Sequence, residues 1–168
     1  IPTAKLEAAK AAIVAAELSF EAGSVMSGTI ACTGNKGCRY AATDTKAHAV
    51  ALARMLDSRF DVVQPVNLHV TGCPHSCAQH YVGDIGLMGV RTRGEEGYQV
   101  VLGGGSDRDE GIARELIPAI RFSELPPLME QLFEAYTTQR REEESFLDFT
   151  RRLSITELRS FCAIKEPA

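Results

Sequence analysis

Four of the five cysteines fall into two tight pairs, and this grouping constrains the chain more than any other feature of its sequence. Five residues separate Cys32 from Cys38, and three separate Cys73 from Cys77. No basic segment followed by an apolar one opens the sequence, which favours a reducing, cytoplasmic compartment. There, grouped thiols are more often metal ligands than disulfides. The pairs therefore predict a metal or cluster site, and the lone Cys162 is expected to be a free thiol.

The residues around each pair predict that the cysteines lie where a strand gives way to a helix. Gly34 and Gly37 allow the first loop to curl, so that two sulfurs and backbone N–H groups can face one object. Pro74 suits a first helical position, and cysteines four apart would share a helix face. If the strands are neighbours, four sulfurs converge as the ligand set of a [4Fe–4S] cluster. Zinc remains open, although the first spacing is long for a zinc knuckle, and inert buried cysteines are a third alternative.

The hydrophobic pattern predicts an α+β fold, with a mixed sheet flanked by helices and a C-terminal helical tail. Helices are predicted over 4–18 and 39–56, and strands over 25–31, 65–71, 84–91 and 97–102, the last two as a hairpin. Beyond residue 111 the chain is expected to be helical, with one helix capped by Ser123 and a last helix opened by the capping box Ser154–Glu157. We expect the metal-binding domain over 1–122 and a helical segment packed on it over 123–168.

Charge and length bear on which function classes to expect. The 168 residues carry a net charge of −4 and contain no block of like charges, so nothing predicts binding to nucleic acid. No apolar run approaches the ~20 residues that cross a bilayer, so no membrane partner is expected. The first residue is Ile1 rather than Met, which predicts a piece of a longer protein.

At its cysteines the sequence resembles the C-terminal, [4Fe–4S]-binding portion of the sirohaem-dependent nitrite and sulfite reductase family. The family pattern is C-x5-C, an interval of some tens of residues, and then G-C-P-x-x-C. Here it reads ACTGNKGC, 34 residues between the two pairs, and TGCPHSC. The flanking AATDTKAHA, QPVNLHVTG and VGDIGLMGV fit as well. CTGN followed by TDTK looks closest to ferredoxin-type nitrite reductases.

The resemblance implies roles for individual residues. The four paired cysteines would ligate the [4Fe–4S] cluster, and Cys77 would also be the axial ligand of the sirohaem iron. Sirohaem carries many carboxylates, so cationic and N–H donors are expected around it, and the candidates in this chain are Asn35, Lys36 and Arg39. His75 stands where many relatives carry Asn and is expected to donate to the tetrapyrrole edge or to a cluster sulfide. The groups that grip the anionic substrate are expected outside this chain, so no catalytic residue is assigned within it.

The activity that the resemblance implies is the six-electron reduction of nitrite to ammonia in nitrate assimilation, with ferredoxin or a flavoprotein reductase as electron donor. A sulfite reductase hemoprotein that reduces sulfite to sulfide is the first alternative, because both reactions use this scaffold. A non-catalytic four-cysteine zinc or electron-carrier module is the alternative of another class. The family implies a cytoplasmic monomer, and this chain alone is expected to be inactive and to hold its cofactors poorly.

Overall fold

A computed structural model describes residues 1–18, 20–21, 23–62, 64–105 and 110–162. These residues contain a five-stranded sheet whose strands follow one another in chain order across the sheet. The strands are β1 (Thr29–Ala31), β2 (Leu68–Thr71), β3 (Ile85–Thr92), β4 (Glu95–Leu102) and β5 (Arg114–Arg121). The first three run parallel, and β3, β4 and β5 run antiparallel to one another. The mixed sheet confirms the predicted α+β fold class.

The described part of the chain contains six α-helices. They are α1 (Leu6–Ala15), α2 (Ser24–Ser27), α3 (Thr45–Arg59), α4 (Leu125–Gln139), α5 (Phe146–Arg152) and α6 (Ile155–Phe161). Short 3-10 turns occupy Thr3–Lys5, His80–Val82 and Phe122–Glu124. The capping box predicted at Ser154 is present, since its hydroxyl accepts from the Glu157 N–H and the Glu157 carboxylate accepts in return. None of these helices has the length and apolarity needed to span a bilayer.

The core lies on one face of the sheet, beneath the long helices. Register places apolar side chains side by side in rows across the strands, for example Leu68, Ile85 and Leu102. Because side chains alternate along a strand, these rows share one face. The helical side chains buried in the same cluster are Ala49, Leu52, Ala53 and Leu56 of α3, Leu128, Met129, Leu132, Phe133 and Tyr136 of α4, Phe146 and Phe149 of α5, and Leu158 of α6. The C-terminal helices therefore complete the core of the sheet, while a domain division at residue 122 stays a prediction.

The opposite face is partly covered by the chain that follows Cys77. The Nδ1–H of His69, on β2, donates to the carbonyl of Gln79 at 3.1 Å. Gly86, on β3, lies against the His80 carbonyl so closely that a Cβ there would collide with it. The second cysteine loop thus continues into a segment that folds back over the sheet and is fixed to it.

Several predicted elements lie elsewhere than expected. The stretch from 114 to 121 is strand β5 and not a helix, so the expectation of an all-helical region beyond 111 was wrong. Pro118 is tolerated because β5 lies at the sheet edge and its pairing with β4 is interrupted by register shifts. The predicted hairpin is confirmed, and its turn is tight because Arg93 and Gly94 both adopt positive φ, at 52° and 81°.

The helices next to the cysteine pairs also differ from the prediction. Asp57 accepts from the N–H groups of Val25 and Met26 at 2.9 and 3.0 Å, so a one-turn helix replaces the first half of the predicted strand over 25–31. Helix α3 begins at Thr45, where the Asp44 carboxylate caps it, and not at residue 39. The residues from Cys73 to Cys77 form turns, so the predicted helix at the second pair is absent.

Candidate functional site

The two cysteine loops leave the same edge of the sheet. Strands β1 and β2 are parallel neighbours, with Ala31 opposite Val70. Cys32 directly follows β1, and Cys73 comes two residues after the end of β2. Because the carboxyl ends of parallel strands meet at one edge, the two pairs of cysteines start from adjacent points. The neighbouring strands meet the condition on which the convergence of four sulfurs was predicted, and the convergence itself stays a prediction.

Backbone hydrogen bonds tie the two loops together. The Cys32 N–H donates to the Val70 carbonyl at 3.0 Å, which extends the pairing by one step beyond β1. The Ala42 N–H donates to the Gly72 carbonyl at 2.7 Å, and the Gly72 N–H donates to Cys32 Sγ at 3.2 Å. Gly72 therefore contacts the first loop through both its carbonyl and its amide.

The sulfur of Cys32 has a defined environment. Besides the Gly72 amide, the Thr45 hydroxyl lies 3.7 Å from Sγ and donates to the Cys32 carbonyl at 2.7 Å. N–H donors aimed at a sulfur stabilise the thiolate and tune a metal that it ligates. The sulfur of this half-buried cysteine is therefore held in a defined position by contacts from the second cysteine loop and from the start of α3.

Cys73 and His75, in the second loop, lie close to Tyr40 of the first loop. The Cys73 sulfur is buried and lies 3.3 Å from His75 Nδ1. The His75 ring meets the Tyr40 ring edge-on, with centroids 5.3 Å apart, and Tyr40 belongs to the first loop. Arg39 donates to the Tyr40 hydroxyl at 2.5 Å, and its guanidinium carbon lies 4.7 Å from the ring centroid. The structure thus brings together two of the predicted cofactor-binding side chains, His75 and Arg39, beside a predicted ligand.

The remaining pair of sulfurs is more open to solvent. Cys38 is half-buried, Cys77 is exposed, and all five cysteines are free thiols. Ser76 and Gln79, on either side of Cys77, adopt positive φ values of 55° and 54°. Left-handed residues other than glycine are uncommon and cluster at functional sites. Within the described residues, no three His, Cys, Asp or Glu side chains are grouped closely enough to hold a single metal ion.

The first loop is built around Gly34 and Asn35. Gly34 adopts φ of +70°, and a Cβ there would lie 2.7 Å from the Thr45 hydroxyl, so only glycine fits. Asn35 is committed within the chain, since its amide Nδ2 donates to Glu96 at 2.7 Å and its N–H donates to the Thr43 carbonyl. Lys36 is exposed, with its Nζ 3.8 Å from the Asp44 carboxylate. Of these predicted cofactor contacts, Lys36 is therefore the freer one.

A polar network behind this loop escaped sequence analysis. The Glu96 carboxylate on β4 accepts from both Asn35 and the Asp44 N–H. His48, on α3, lies 3.8 Å from Glu96 through Nε2 and 2.9 Å from the Tyr98 hydroxyl through Nδ1, and its ring stacks on Phe122. Burial lowers the pKa of His48 despite the nearby carboxylates, so the imidazole is neutral at pH 7. Burial raises the pKa of Tyr98, so its hydroxyl stays protonated and can donate to His48.

A buried histidine supports the second loop. His80 is fully buried, and its Nδ1 lies 3.0 Å from the hydroxyl of Ser76, the residue before Cys77. Burial, and then the proximity of His69, lowers the pKa of His80. Nearby, the Asp84 carboxylate accepts from the Asn67 N–H at 2.9 Å, yet burial raises its pKa above the usual value. Neutral His80 and the hydroxyl of Ser76 are thus paired beneath the second cysteine loop.

Two pairs of free thiols lie at one edge of the sheet, and one of these sulfurs accepts a hydrogen bond from a backbone N–H. This arrangement suits a cysteine-ligated cluster. The sequence agrees with that class, since residues 22–167 match the family described as "Nitrite and sulphite reductase 4Fe-4S domain". The chain belongs to that family, as the resemblance at its cysteines predicted. The family assignment supports an iron–sulfur cluster as the cofactor.

Some relatives are named as nitrite reductases and others as sulfite reductases. The chain is 35% identical over 136 residues to ferredoxin–nitrite reductase of Synechococcus elongatus, covering 79% of this chain and 27% of that protein. It is 36% identical over 129 residues to the chloroplastic ferredoxin–nitrite reductase of Arabidopsis thaliana, covering 71% and 22%. It is 32% identical over 142 residues to a ferredoxin sulfite reductase of Mycolicibacterium paratuberculosis, covering 78% and 26%. The chain thus spans about a quarter of the length of these relatives.

Solved structures share the fold. The NirA protein of Mycobacterium tuberculosis superposes with a TM-score of 0.80 at 30% identity, covering 95% of this chain and 31% of that one. Dissimilatory sulfite reductase I superposes with a TM-score of 0.81 at 13% identity, covering 98% and 59%, and that likeness shows the fold alone.

Proposed function

We propose that this chain is the cluster-carrying part of an assimilatory nitrite reductase that receives electrons from ferredoxin. The observation that carries the proposal is the joining of the two cysteine loops at one sheet edge, with the Gly72 amide donating to Cys32 Sγ. The ferredoxin–nitrite reductases among the relatives support nitrite as substrate and ferredoxin as donor. The cluster ligands in this proposal are Cys32, Cys38, Cys73 and Cys77.

We further propose that the protein binds sirohaem and that Cys77 is its axial ligand. Cys77 would hold the haem iron as well as the cluster, and it is the exposed member of the four cysteines. When bound, sirohaem supplies the iron at which the anion is reduced, while the adjacent cluster supplies electrons. Ser76 and Gln79, with their positive φ values, fix how the loop presents Cys77 at the surface.

Other residues of the chain would bind the carboxylates at the edge of the tetrapyrrole. Lys36 and Arg39 place two cations on the first loop, where they can pair with carboxylates. Arg39 is held by the ring and hydroxyl of Tyr40, so its guanidinium has less freedom than a free surface side chain. His75 lies against Cys73 Sγ and can donate from its other ring nitrogen. Asn35 belongs to loop positioning in this proposal, because its amide is used by Glu96.

Sulfite reductase is the second candidate, and one observation favours it specifically. The mycobacterial relative named as a ferredoxin sulfite reductase matches 78% of the chain at 32% identity, close to the values for the nitrite reductases. Rates with nitrite and with sulfite, measured on the full-length protein with a chemically reduced donor, separate the two. We expect the higher kcat/KM for nitrite.

The deciding experiment is anaerobic reconstitution of the full-length protein, followed by metal and sulfide analysis and an absorption spectrum. We expect four iron and four sulfide per chain together with the absorption of sirohaem. Cys77→Ser should abolish both signals. Cys162→Ser is the matched control and should change neither, because Cys162 is buried and its sulfur faces the Leu128 carbonyl. One tightly held zinc ion per chain and no sulfide would instead indicate a non-catalytic four-cysteine zinc module.

A further inference from the structure

The Glu96 carboxylate reaches from the start of β4, beside the hairpin turn, to the first cysteine loop. It accepts from Asn35 Nδ2 at 2.7 Å with one oxygen and from the Asp44 N–H at 2.8 Å with the other. Glu96 lies on β4, opposite Arg91 of β3, so its backbone is fixed by the pairing of the two hairpin strands. The carboxylate is therefore a bidentate anchor held by the antiparallel half of the sheet.

The two anchored points bracket Cys38 in the sequence. Asn35 and Asp44 are also joined at the base of this segment, because the Asn35 N–H donates to the Thr43 carbonyl at 2.9 Å. The chain between them is a loop that is closed at its base, and its position relative to the sheet depends on the positions of its two ends. Holding both ends therefore holds Cys38.

The electrostatics keep Glu96 in the form that can accept both bonds. Burial raises the pKa of Glu96, but the hydrogen bonds from Asp44 and Asn35, together with His48 and Arg91, outweigh it and lower the pKa below its usual value. The carboxylate is therefore ionised at neutral pH, and hydrogen bonds to an ionised acceptor are the stronger kind.

Removal of this side chain would leave its partners unpaired. The Asp44 N–H belongs to the capping residue of α3, and the Asn35 amide lies in a half-buried loop. A donor left unsatisfied in a partly buried position favours a different loop conformation, in which water or another acceptor replaces the carboxylate. Cys38 would move with the loop, while Cys73 and Cys77 would stay with β2.

We propose that Glu96 is a positioning residue that fixes Cys38 relative to the second cysteine loop, so that four sulfurs fit one cluster. The proposal rests on the proposed function, since it assumes that the four cysteines hold a cluster. It assigns a role in cofactor retention to a residue that lies outside both cysteine motifs.

The test compares Glu96→Ala with Glu95→Ala in the reconstituted full-length protein. Glu95 is the matched control, because it is the neighbouring carboxylate on the same strand but faces Arg121 at 3.3 Å instead of the loop. We expect iron release to a chelator to be about tenfold faster in Glu96→Ala, as loss of a charged hydrogen-bond acceptor implies. The electron paramagnetic resonance signal of the reduced cluster should shift in Glu96→Ala and stay unchanged in Glu95→Ala.

An exchange of the two partners separates positioning from general loss of stability. In Glu96→Gln/Asn35→Asp, the new amide can donate to the new carboxylate and its carbonyl can accept from the Asp44 N–H. We expect this double variant to release iron within about twofold of the wild type, although Asn35→Asp alone is faster, because two facing carboxylates repel until Glu96 is also replaced. A double variant that releases iron as fast as Asn35→Asp would overturn the proposal.

The outcomes also distinguish the two proposals. A wild-type protein that holds no iron and sulfide contradicts the proposed function and the role of Glu96 with it. A wild-type protein that holds the cluster, with Glu96→Ala indistinguishable from Glu95→Ala in iron release and spectrum, contradicts the role of Glu96 alone.

Discussion

Gly72 is the point at which the two cysteine loops touch, and a single methyl group there tests that contact. A Cβ added to Gly72 would lie 2.6 Å from the Ala41 Cβ and 3.3 Å from the Ala41 Cα. Non-bonded carbons rest about 3.5–4.0 Å apart, so the loops would have to separate by about 1 Å. The Ala42 N–H to Gly72 carbonyl bond of 2.7 Å and the Gly72 N–H to Cys32 sulfur contact of 3.2 Å lie at the same place. Both would lengthen with that separation.

Two opposing effects set the size of the change. Forcing an extra methyl into a packed contact costs about 1–3 kcal/mol. Replacing glycine by alanine restricts the unfolded chain and returns about 0.4–1 kcal/mol where the backbone conformation is allowed. The overpacking dominates, and we expect Gly72→Ala to lower the free energy of unfolding by about 1–2 kcal/mol. With a urea slope of about 2 kcal/mol per molar, the midpoint falls by roughly 0.5–1 M.

Urea unfolding of the apoprotein and iron content after reconstitution measure the two consequences. Ala41→Gly in the Gly72→Ala background removes the methyl that collides, so it should recover most of the lost stability and iron content. Ala41→Gly alone provides the reference for the intrinsic effect of the added glycine. If Gly72→Ala kept the wild-type midpoint and iron content, or if Ala41→Gly failed to recover them, the close approach of the loops would not be what holds the site.

Two further predictions concern the rest of the fold. Arg152 donates to both oxygens of Glu144, at 2.6 and 2.9 Å, and these bonds lower the Glu144 pKa to about 2. Since the folded-state pKa is depressed, this stabilisation is complete above the ordinary carboxyl pKa and is lost as the pH falls towards 2. Glu144→Gln should therefore unfold more easily at pH 7 and lose less stability on acidification, whereas a variant of the exposed Glu142 should match the wild type. Phe133 is fully buried between Phe60 and Phe146, so Phe133→Ala should cost about 3–5 kcal/mol in chemical unfolding, with Val50→Ala near zero as the surface control.

Local sequence signals were sufficient for much of this fold. The capping box at Ser154, the hairpin and the buried stripe of Leu128, Leu132 and Tyr136 all depend on residues within a few positions of one another. The location of the site followed from topology, because parallel neighbouring strands bring their following loops together whatever the loops contain. The spacing of the cysteines and the residues that flank them therefore predicted the family and the edge of the sheet at which the candidate site lies.

Contacts between distant segments were beyond the same reasoning. Glu96 lies 61 positions from Asn35 and 52 from Asp44, and nothing in the local sequence marks it as their partner. Strand β5 was read as helix because its register shifts allow the buried Leu116 and Ile117 to be adjacent, which breaks the alternation typical of strands. The turn at Cys73 depends on the left-handed Ser76, a conformation that no residue preference predicts.

The two halves of the sheet contribute differently to the site. The parallel half, β1 to β3, places the cysteine loops at one edge, but β1 is only three residues long and pairs with a single neighbour. Such a short edge strand cannot by itself fix a loop of a dozen residues between Cys32 and the start of α3. The antiparallel half supplies the missing constraint, since β4 pairs along its length with β3 and also with β5 and carries Glu96. The proposed cluster site at this short edge strand would therefore be held in part from β4, and Glu96→Ala should affect the cluster although no cysteine lies on that strand.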